Sequence, residues 1–272
     1  MENTPKNNLK NDYIYKTVGE NETALTFLPP TKDVYEKAPV YFIIPGGGWH
    51  SCDRNGMIWF SQYSVDKLRE KGFAVVSIDY RTTKMGAKIN NIIEDCFSAL
   101  KFVCDNADVL KVDTKKIVIS GHSAGAHLAL MVAYAKSTDF GVDCGDYNII
   151  ATVPLSPATI LHTDGYPETI KFNFNHIFDN TEDLAVRKKA SPIEYVTKLC
   201  PPTMLVAGTA DNLIDYNSCV ILNEKLQSNG VKTKLLLSEN GGHCYEKVND
   251  KEPSVDMANV QKQITEFILE CI

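Results

Sequence analysis

The sequence predicts one α/β domain, with a mainly parallel central sheet flanked by helices and a small lid insertion. Two observations predict this class. Short apolar stretches alternate with longer segments of helical period, which is typical of strands joined by crossover helices. The length of 272 residues, with 44% hydrophobic and 23% charged residues, suits one large globular domain spanning residues 1–272. No internal repeat or low-complexity tract interrupts the pattern.

The strands are predicted first, in chain order. Two early segments, residues 13–18 and 23–28, resemble an antiparallel edge hairpin with Gly19 near its turn. The main sheet follows, and its predicted strands cover residues 40–45, 73–80, 116–120, 149–155, 203–208 and 232–237.

Apolar residues at helical spacing predict a helix over residues 89–103 and a final helix over residues 257–268. Ser254 is the expected N-cap of the final helix, and Asp215 is the expected cap of a helix before it. Residues 157–202 do not follow the alternation of strands and helices, because this segment is aromatic, polar and irregular. A segment of this length between core strands predicts a lid, and the alternative is a surface excursion that covers a sheet end.

Composition excludes several classes of partner. With 28 Lys and Arg against 34 Asp and Glu, the net charge is −6, and no basic stripe is present to bind nucleic acid. The polar start of the chain and its short apolar runs predict neither export nor a membrane span, so a cytoplasmic protein is expected. The eight cysteines form no ligand cluster and are expected to be free thiols, without metal or cofactor. The sequence carries no signal for the oligomeric state.

The clearest chemical motif is Gly-His-Ser-Ala-Gly, which spans Gly121 to Gly125. It directly follows a predicted strand and precedes a helix-compatible run, residues 126–135. A nucleophile elbow is a sharp strand-to-helix turn with a strained serine and small flanking residues. The motif alone is weak, but this context predicts Ser123 as a nucleophile.

A second motif, Pro-Gly-Gly-Gly-Trp, occupies residues 45–49 at the end of a predicted strand. Consecutive glycines leave backbone N–H groups accessible to a ligand, although a flexible turn would explain them as well. The N–H groups of Gly46, Gly47 and Ala124 are therefore predicted to form an oxyanion hole. Gly48, Trp49 and His122 are predicted to line the substrate pocket.

The order of the remaining residues completes the pattern. Asp211 follows strand 203–208, and His243 follows strand 232–237 after two glycines. Asp211 lies 211 − 123 = 88 residues after the serine, and His243 lies 243 − 211 = 32 residues further on. The order Ser, Asp, His is that of α/β-hydrolases. His243 is predicted as the general base and Asp211 as the acid that orients it.

Other residues have structural explanations. His127 is expected to be a packed core histidine, and Cys244 a packed thiol. Asp79 and Arg81 are expected to anchor a strand end. Glu94 and Asp95 are expected on a solvated or structural helix face.

From about Val40 onwards, the sequence resembles α/β-hydrolase esterases of the acetyl-xylan-esterase-like and hormone-sensitive-lipase-like branches. The resemblance lies in the Gly-Gly-Gly-Trp loop, Asp79-Tyr80-Arg81, the Gly-His-Ser-Ala-Gly elbow and Asp211-Asn212-Leu213-Ile214-Asp215. Pro45 stands where the lipase branch usually has histidine, which shifts the resemblance toward small carbohydrate esterases.

The prediction is a serine esterase for small acyl groups that acts on a small-molecule ester through an acyl-enzyme, with carbohydrate esters as a candidate class. An amidase or arylformamidase of the same fold is the alternative, because the same triad can cleave an activated amide. A third hypothesis is a non-catalytic ligand receptor with the hydrolase fold. The presence of all three triad residues weakens this hypothesis.

Overall fold

The computed structural model describes residues 11–162, 175–179, 181 and 183–272, and these residues form an eight-stranded sheet. The strands are β1 Asn11–Val18, β2 Asn21–Leu28, β3 Ala38–Ile44, β4 Ala74–Ile78, β5 Val112–His122, β6 Ile149–Leu155, β7 Thr203–Gly208 and β8 Thr233–Ser238. Their spatial order is β1-β2-β4-β3-β5-β6-β7-β8. The pairs β1–β2 and β2–β4 are antiparallel, and the others are parallel. The predicted strands and edge hairpin are confirmed.

Helices cover both faces of the sheet. They are α1 Arg54–Phe60, α2 Gln62–Glu70, α3 Ile89–Asp105, α4 Ala107–Leu110, α5 Ala124–Tyr134, α6 Leu184–Lys189, α7 Asn217–Ser228 and α8 Met257–Leu269. The sequence did not predict α1 and α2, since both are short and interrupted at Ser61. Ser254 was also wrongly predicted as the cap of α8: the carboxylate of Asp256 accepts the Asn259 N–H, whereas Ser254 Oγ accepts the N–H of Glu239.

The core lies on both faces of the central strands. Every residue of β3 is buried, as expected for a parallel strand covered on both sides. Phe42 packs in the cluster that includes residues of α3 and α5, whereas its neighbours Tyr41 and Ile43 pack with residues of α2 and α8. The period-2 alternation of a strand produces this division.

Ion pairs join the edge hairpin to the main sheet. The Asp95 side chain is fully buried and accepts hydrogen bonds from Arg81 and Lys16, each at 2.7 Å. Asp95 is therefore structural rather than solvated, while Glu94 is partly exposed. Arg54 pairs with Asp79, so Asp79 and Arg81 both anchor the end of β4 as predicted.

The segment 157–202 lies partly outside the described residues, including Tyr166, Phe172 and Phe174. Its described part contains a helical turn at 175–177 and α6. Ile177 and Phe178 are buried in the main core. That the whole segment is a lid stays a prediction.

All eight cysteines are free, as predicted. In the part of the chain that the structure describes, no helix is long and apolar enough to cross a membrane.

Candidate active site

The predicted nucleophile lies at a sharp turn. Ser123 directly follows β5 and precedes α5, with φ 56° and ψ −122°. A non-glycine residue at this φ is strained by about 1–3 kcal/mol, and such strain is typical of functional sites. The turn is held by two backbone hydrogen bonds, from Ser123 N to Leu155 O at 2.8 Å and from His127 N to Ser123 O at 3.1 Å. The local geometry is that of a nucleophile elbow.

The glycines around the serine are required by close backbone packing. A Cβ on Gly125 would lie 2.1 Å from the carbonyl oxygen of Ile44 and 2.5 Å from that of Pro45. A Cβ on Gly121 would lie 2.3 Å from the carbonyl oxygen of Gly125. Strand β3, strand β5 and helix α5 therefore meet at distances that only glycine permits.

The glycine loop after β3 passes beside the serine. A Cβ on Gly46 would lie 3.3 Å from the Cβ of Ser123. Gly47 has φ +122°, and its carbonyl accepts the N–H groups of His50 and Ser51, both at 3.0 Å. Ala124 opens α5, and the first N–H groups of a helix have no partner within the helix. Gly46 thus lies beside Ser123, and Ala124 follows the serine at the start of α5, while the oxyanion hole itself stays a prediction.

Trp49 does not line the substrate pocket, so that prediction is wrong. Its side chain is 1% exposed, and its Nε1–H donates to Nδ1 of His127 at 3.2 Å. His127 Nε2 lies 2.7 Å from the carbonyl oxygen of Ala190, so Nε2 carries the proton of this neutral ring. Burial lowers the pKa of His127 to about 4. The predicted core histidine is confirmed, and it links the glycine loop, α5 and the segment after α6.

Two loops at the carboxyl ends of β7 and β8 bring together the predicted acid and base. His243 Nδ1 lies 2.7 Å from Asp211 Oδ2, and the two side chains are 12% and 1% exposed. Because a carboxylate only accepts, Nδ1 carries a proton, and in a neutral ring the lone pair is therefore on Nε2. Asp211 Oδ1 accepts the N–H groups of Leu213 and Ile214. The pair has the geometry of an oriented general base.

The predicted base lies beside the elbow. The rings of His243 and His122 have centroids 4.8 Å apart, and His122 directly precedes Ser123. Asp215 Oδ1 accepts the N–H of Asn217 at 2.9 Å and does not contact His243, but the N-cap of α7 is Tyr216, so the prediction that Asp215 caps this helix is wrong. Cys244 is exposed rather than packed, because the turn that carries His243 presents the next side chain to solvent.

A cavity of about 240 Å³ adjoins the elbow. Gly46, Gly47 and His122 line this cavity together with Met57 and Phe60 of α1. Gly48, which was predicted in the pocket, is not among the described residues that line this cavity. Sequence reasoning missed Met57 and Phe60 because it did not predict α1; their spacing of three residues in a helix is the signal that could have found them.

Sequence reasoning also missed Ser156. This residue directly follows β6, is 1% exposed and has φ 50°. Its hydroxyl lies 3.0 Å from the carbonyl oxygen of His243. A single serine after a strand has no motif that distinguishes it.

In the described part of the chain, no group of three or more His, Cys, Asp or Glu side chains is arranged to hold a metal ion. The arrangement can supply a nucleophile, a base and backbone hydrogen-bond donors.

Comparison with known proteins places this geometry in context. The profile of the BD-FAE family matches residues 26–226, which is most of the chain. The probable isoprenylcysteine α-carbonyl methylesterase ICME of Oryza sativa subsp. japonica is 28% identical over 239 residues, covering 78% of this chain and 53% of that protein. The probable carboxylic ester hydrolase LipM of Mycobacterium tuberculosis is 27% identical over 193 residues, covering 68% and 44%. The chain spans about half the length of these curated relatives.

Solved structures share the fold. Thermogutta terrifontis esterase 2 phosphorylated by paraoxon has a TM-score of 0.76 and 22% identity, covering 99% of this chain and 97% of that chain. A truncated carbohydrate esterase from gut microbiota has a TM-score of 0.77 and 20% identity, covering 97% of each chain. The predicted α/β-hydrolase fold and the resemblance to esterases of this fold are confirmed.

Proposed function

Because the chain belongs to the BD-FAE family and has the α/β-hydrolase fold, we propose that it is a serine esterase for small acyl groups of the acetyl type. The observation that carries the proposal is the 2.7 Å hydrogen bond between His243 and Asp211, at the sheet edge where the Ser123 elbow lies. Its substrate is a small-molecule ester, and esters of carbohydrates are the favoured class.

The first half-reaction forms the acyl-enzyme. Ser123 Oγ attacks the ester carbonyl carbon while His243 Nε2 takes the hydroxyl proton. Asp211, hydrogen-bonded at Nδ1, stabilises the imidazolium that forms. When the tetrahedral intermediate collapses, the bond to the alcohol oxygen breaks, and His243 returns the proton to that oxygen. The alcohol leaves, and the acyl group remains on Ser123.

The second half-reaction releases the acid. Water attacks the acyl-enzyme, His243 accepts its proton, and the bond to Ser123 Oγ breaks with return of that proton to the serine. One ester and one water become one acid and one alcohol. The cycle balances without a cofactor.

Backbone donors stabilise the oxyanion in both halves. We assign this role to the N–H groups of Gly46, Gly47 and Ala124, and the position of Gly46 beside Ser123 supports the assignment. Fixed donors of this kind need no rearrangement as negative charge develops. The loss of a single such donor in other hydrolases costs about 10²–10³ in kcat, which shows how much preorganisation of this loop is worth.

The cavity beside the elbow is the space that we assign to the acyl group. Its volume is about 240 Å³, and Gly46, Gly47, Met57 and Phe60 are among the residues that line it. The carbohydrate esterase among the structural neighbours supports sugar esters as the substrate class. In such a sugar ester the acyl group is small and the alcohol is large. The rice relative is named as a methylesterase, which suggests the opposite arrangement, a large acyl group with a small alcohol. We favour a small acyl group on a large alcohol, as in a carbohydrate esterase.

The test is hydrolysis of p-nitrophenyl esters from acetate to octanoate, by the wild type and by Ser123→Ala. We expect acetate to be preferred and the variant to lose several orders of magnitude in rate, because the triad acts as a unit. Faster hydrolysis of octanoate would contradict the small acyl group. A methyl ester of a long acyl chain and formyl-kynurenine complete the panel, and preference for either would establish the methylesterase or the arylformamidase instead.

Covalent labelling distinguishes an active serine hydrolase from a non-catalytic receptor with the same fold. A structural neighbour is phosphorylated by paraoxon, so the same reagent is a suitable probe. We expect one phosphoryl group per chain on Ser123 and none on Ser123→Ala, read by mass spectrometry. A wild-type protein that stays unlabelled would favour the non-catalytic receptor.

A further inference from the structure

Two side chains hold the backbone carbonyl of the proposed base. His122 Nε2 lies 3.0 Å from the carbonyl oxygen of His243, and Ser156 Oγ lies 3.0 Å from the same atom. A carbonyl oxygen only accepts, so both side chains must donate. Its two lone pairs are thus both used by residues that come from other strands, β5 and the end of β6.

The carbonyl is the part of the turn that needs outside support. Within the turn, Gly242 N donates to Glu246 O at 2.9 Å, and Tyr245 N donates to Gly242 O at 3.0 Å. The N–H of Cys244 donates to the Glu246 carboxylate at 2.7 Å. These bonds close the turn on itself, whereas the bonds from His122 and Ser156 attach it to the elbow side of the sheet.

Ser156 adopts a costly conformation to make its bond. It is a non-glycine residue at φ 50° and is 1% exposed. Such backbone costs about 1–3 kcal/mol and persists only where the surroundings hold it in place. Ser156 N donates to Val206 O at 2.8 Å, and Tyr245 OH lies 3.2 Å from Ser156 Oγ. The strained serine is fixed from two sides with its hydroxyl against the His243 carbonyl.

We propose that His122 and Ser156 are positioning residues, which together clamp the His243 carbonyl and so hold its imidazole between Asp211 and Ser123. This proposal rests on the proposed function. The ring and the carbonyl of His243 share one Cα, so a displacement of the carbonyl moves the ring. A misplacement of about 1 Å in a catalytic group can cost 10²-fold in rate.

The surroundings of His122 suit this role. Its ring packs on Phe60, with centroids 4.6 Å apart. Burial, and then the neighbouring His243, lower the pKa of His122 to about 4. His122 therefore stays neutral near pH 7 and places no second positive charge beside His243 when that ring becomes an imidazolium.

The kinetic test uses Ser156→Ala, His122→Phe and the double variant. His122→Phe keeps a ring against Phe60 but removes the donor. We expect each single variant to lose about tenfold in kcat, because positioning acts on the chemical step. In Ser156→Ala the KM should change by less than about twofold, since Ser156 does not line the cavity beside the elbow. Since one donor can still hold the carbonyl in each single variant, the double variant should lose more than the product of the two losses.

Two further variants separate clamping from general damage. Ser120→Ala removes a buried serine hydroxyl that donates to Val153 O at 2.7 Å, in the same sheet but away from His243. We expect it to keep wild-type kcat. His122→Gln retains an N–H donor and should recover most of the loss seen with His122→Phe. Equal losses in Ser120→Ala and Ser156→Ala, or no rescue by glutamine, would overturn the proposal.

A spectroscopic measurement does not depend on turnover. The His243 Nδ1 proton that is shared with Asp211 should give a separate, far-downfield proton resonance. We expect this signal to broaden in the single variants and to vanish in the double variant, but to persist in Ser120→Ala. A sharp signal in the double variant would overturn the clamp. If Ser123→Ala kept full activity, the proposed function would fail, while this resonance would still decide whether the clamp exists.

Discussion

The two sides of the candidate active site are built by different kinds of contact. On the elbow side the contacts are between backbone atoms. Gly121 and Gly125 let β3, β5 and α5 approach so closely that no Cβ fits between them. On the base side, a turn after β8 is held by side-chain donors, His122 and Ser156, and by the Asp211 carboxylate. The elbow side is therefore fixed by residue size, and the base side by hydrogen-bond chemistry. We therefore expect a single added atom at either glycine to disrupt the elbow side, whereas the loss of one hydrogen bond should weaken the base side only in part.

The largest effect is expected from Gly125→Ala. Its Cβ would lie 2.1 Å from the carbonyl oxygen of Ile44, and backbone cannot rotate away as a side chain can. We expect the free energy of unfolding to fall by about 3 kcal/mol or more, with hydrolysis falling alongside it. Urea unfolding measures the first and p-nitrophenyl acetate hydrolysis the second.

Gly145→Ala is the matched control for that substitution. Gly145 has φ +67° and nothing within 4 Å of an added Cβ, so only its backbone conformation is penalised, by about 1–2 kcal/mol. Activity should be unchanged. Equal destabilisation by the two substitutions would show that backbone contact does not define the elbow side.

A smaller effect concerns the buried histidine behind the elbow. The pKa of His127 is lowered by burial to about 4, against about 6.5 in an unfolded chain. Between these values the unfolded chain binds a proton that the folded protein does not, so the stability that His127 provides is lost as pH falls from about 6.5 to about 4. For this fully buried ring, the free energy of unfolding falls by an amount on the order of 3 kcal/mol over this pH range.

His127→Gln should remove that pH dependence. A glutamine amide can donate to the Ala190 carbonyl and accept from the Trp49 indole N–H, as the imidazole does, but it does not titrate. We expect the unfolding free energy, measured in urea at several pH values from 7 to 4.5, to decline less steeply in the variant. Parallel curves for the two proteins would refute this account. The result would also show how much the hydrogen bonds of His127, in addition to the glycine contacts, stabilise the elbow side.

The same division explains what the sequence could predict. Gly121, Ser123 and Gly125 are adjacent in sequence, and the contact that requires them is local, so the motif predicts the elbow. Asp211 and His243 were found from chain order, because both follow strands that end at the same sheet edge. Ser156 has no such signal: its role depends on a carbonyl 243 − 156 = 87 residues away, and only the folded chain brings the two together. Trp49 was misplaced because sequence shows that it follows the glycines, not which way its ring points.

The smallest effect is expected at Cys244, the side chain next to the base. Its thiol is exposed and lies 3.8 Å from His122 Nε2, so it is a candidate competing nucleophile on the base side. Partial desolvation, and then the Glu246 carboxylate, raise the pKa of Cys244 to about 11, so near pH 7 it is a thiol and a poor nucleophile. Cys244→Ala should change kcat by no more than about twofold, as for other surface substitutions. Phosphorylation by paraoxon should stay confined to Ser123 in both proteins, read by mass spectrometry. A large loss in Cys244→Ala would mean that the base-side turn depends on this side chain, and that the clamp on the His243 carbonyl is not enough to hold it.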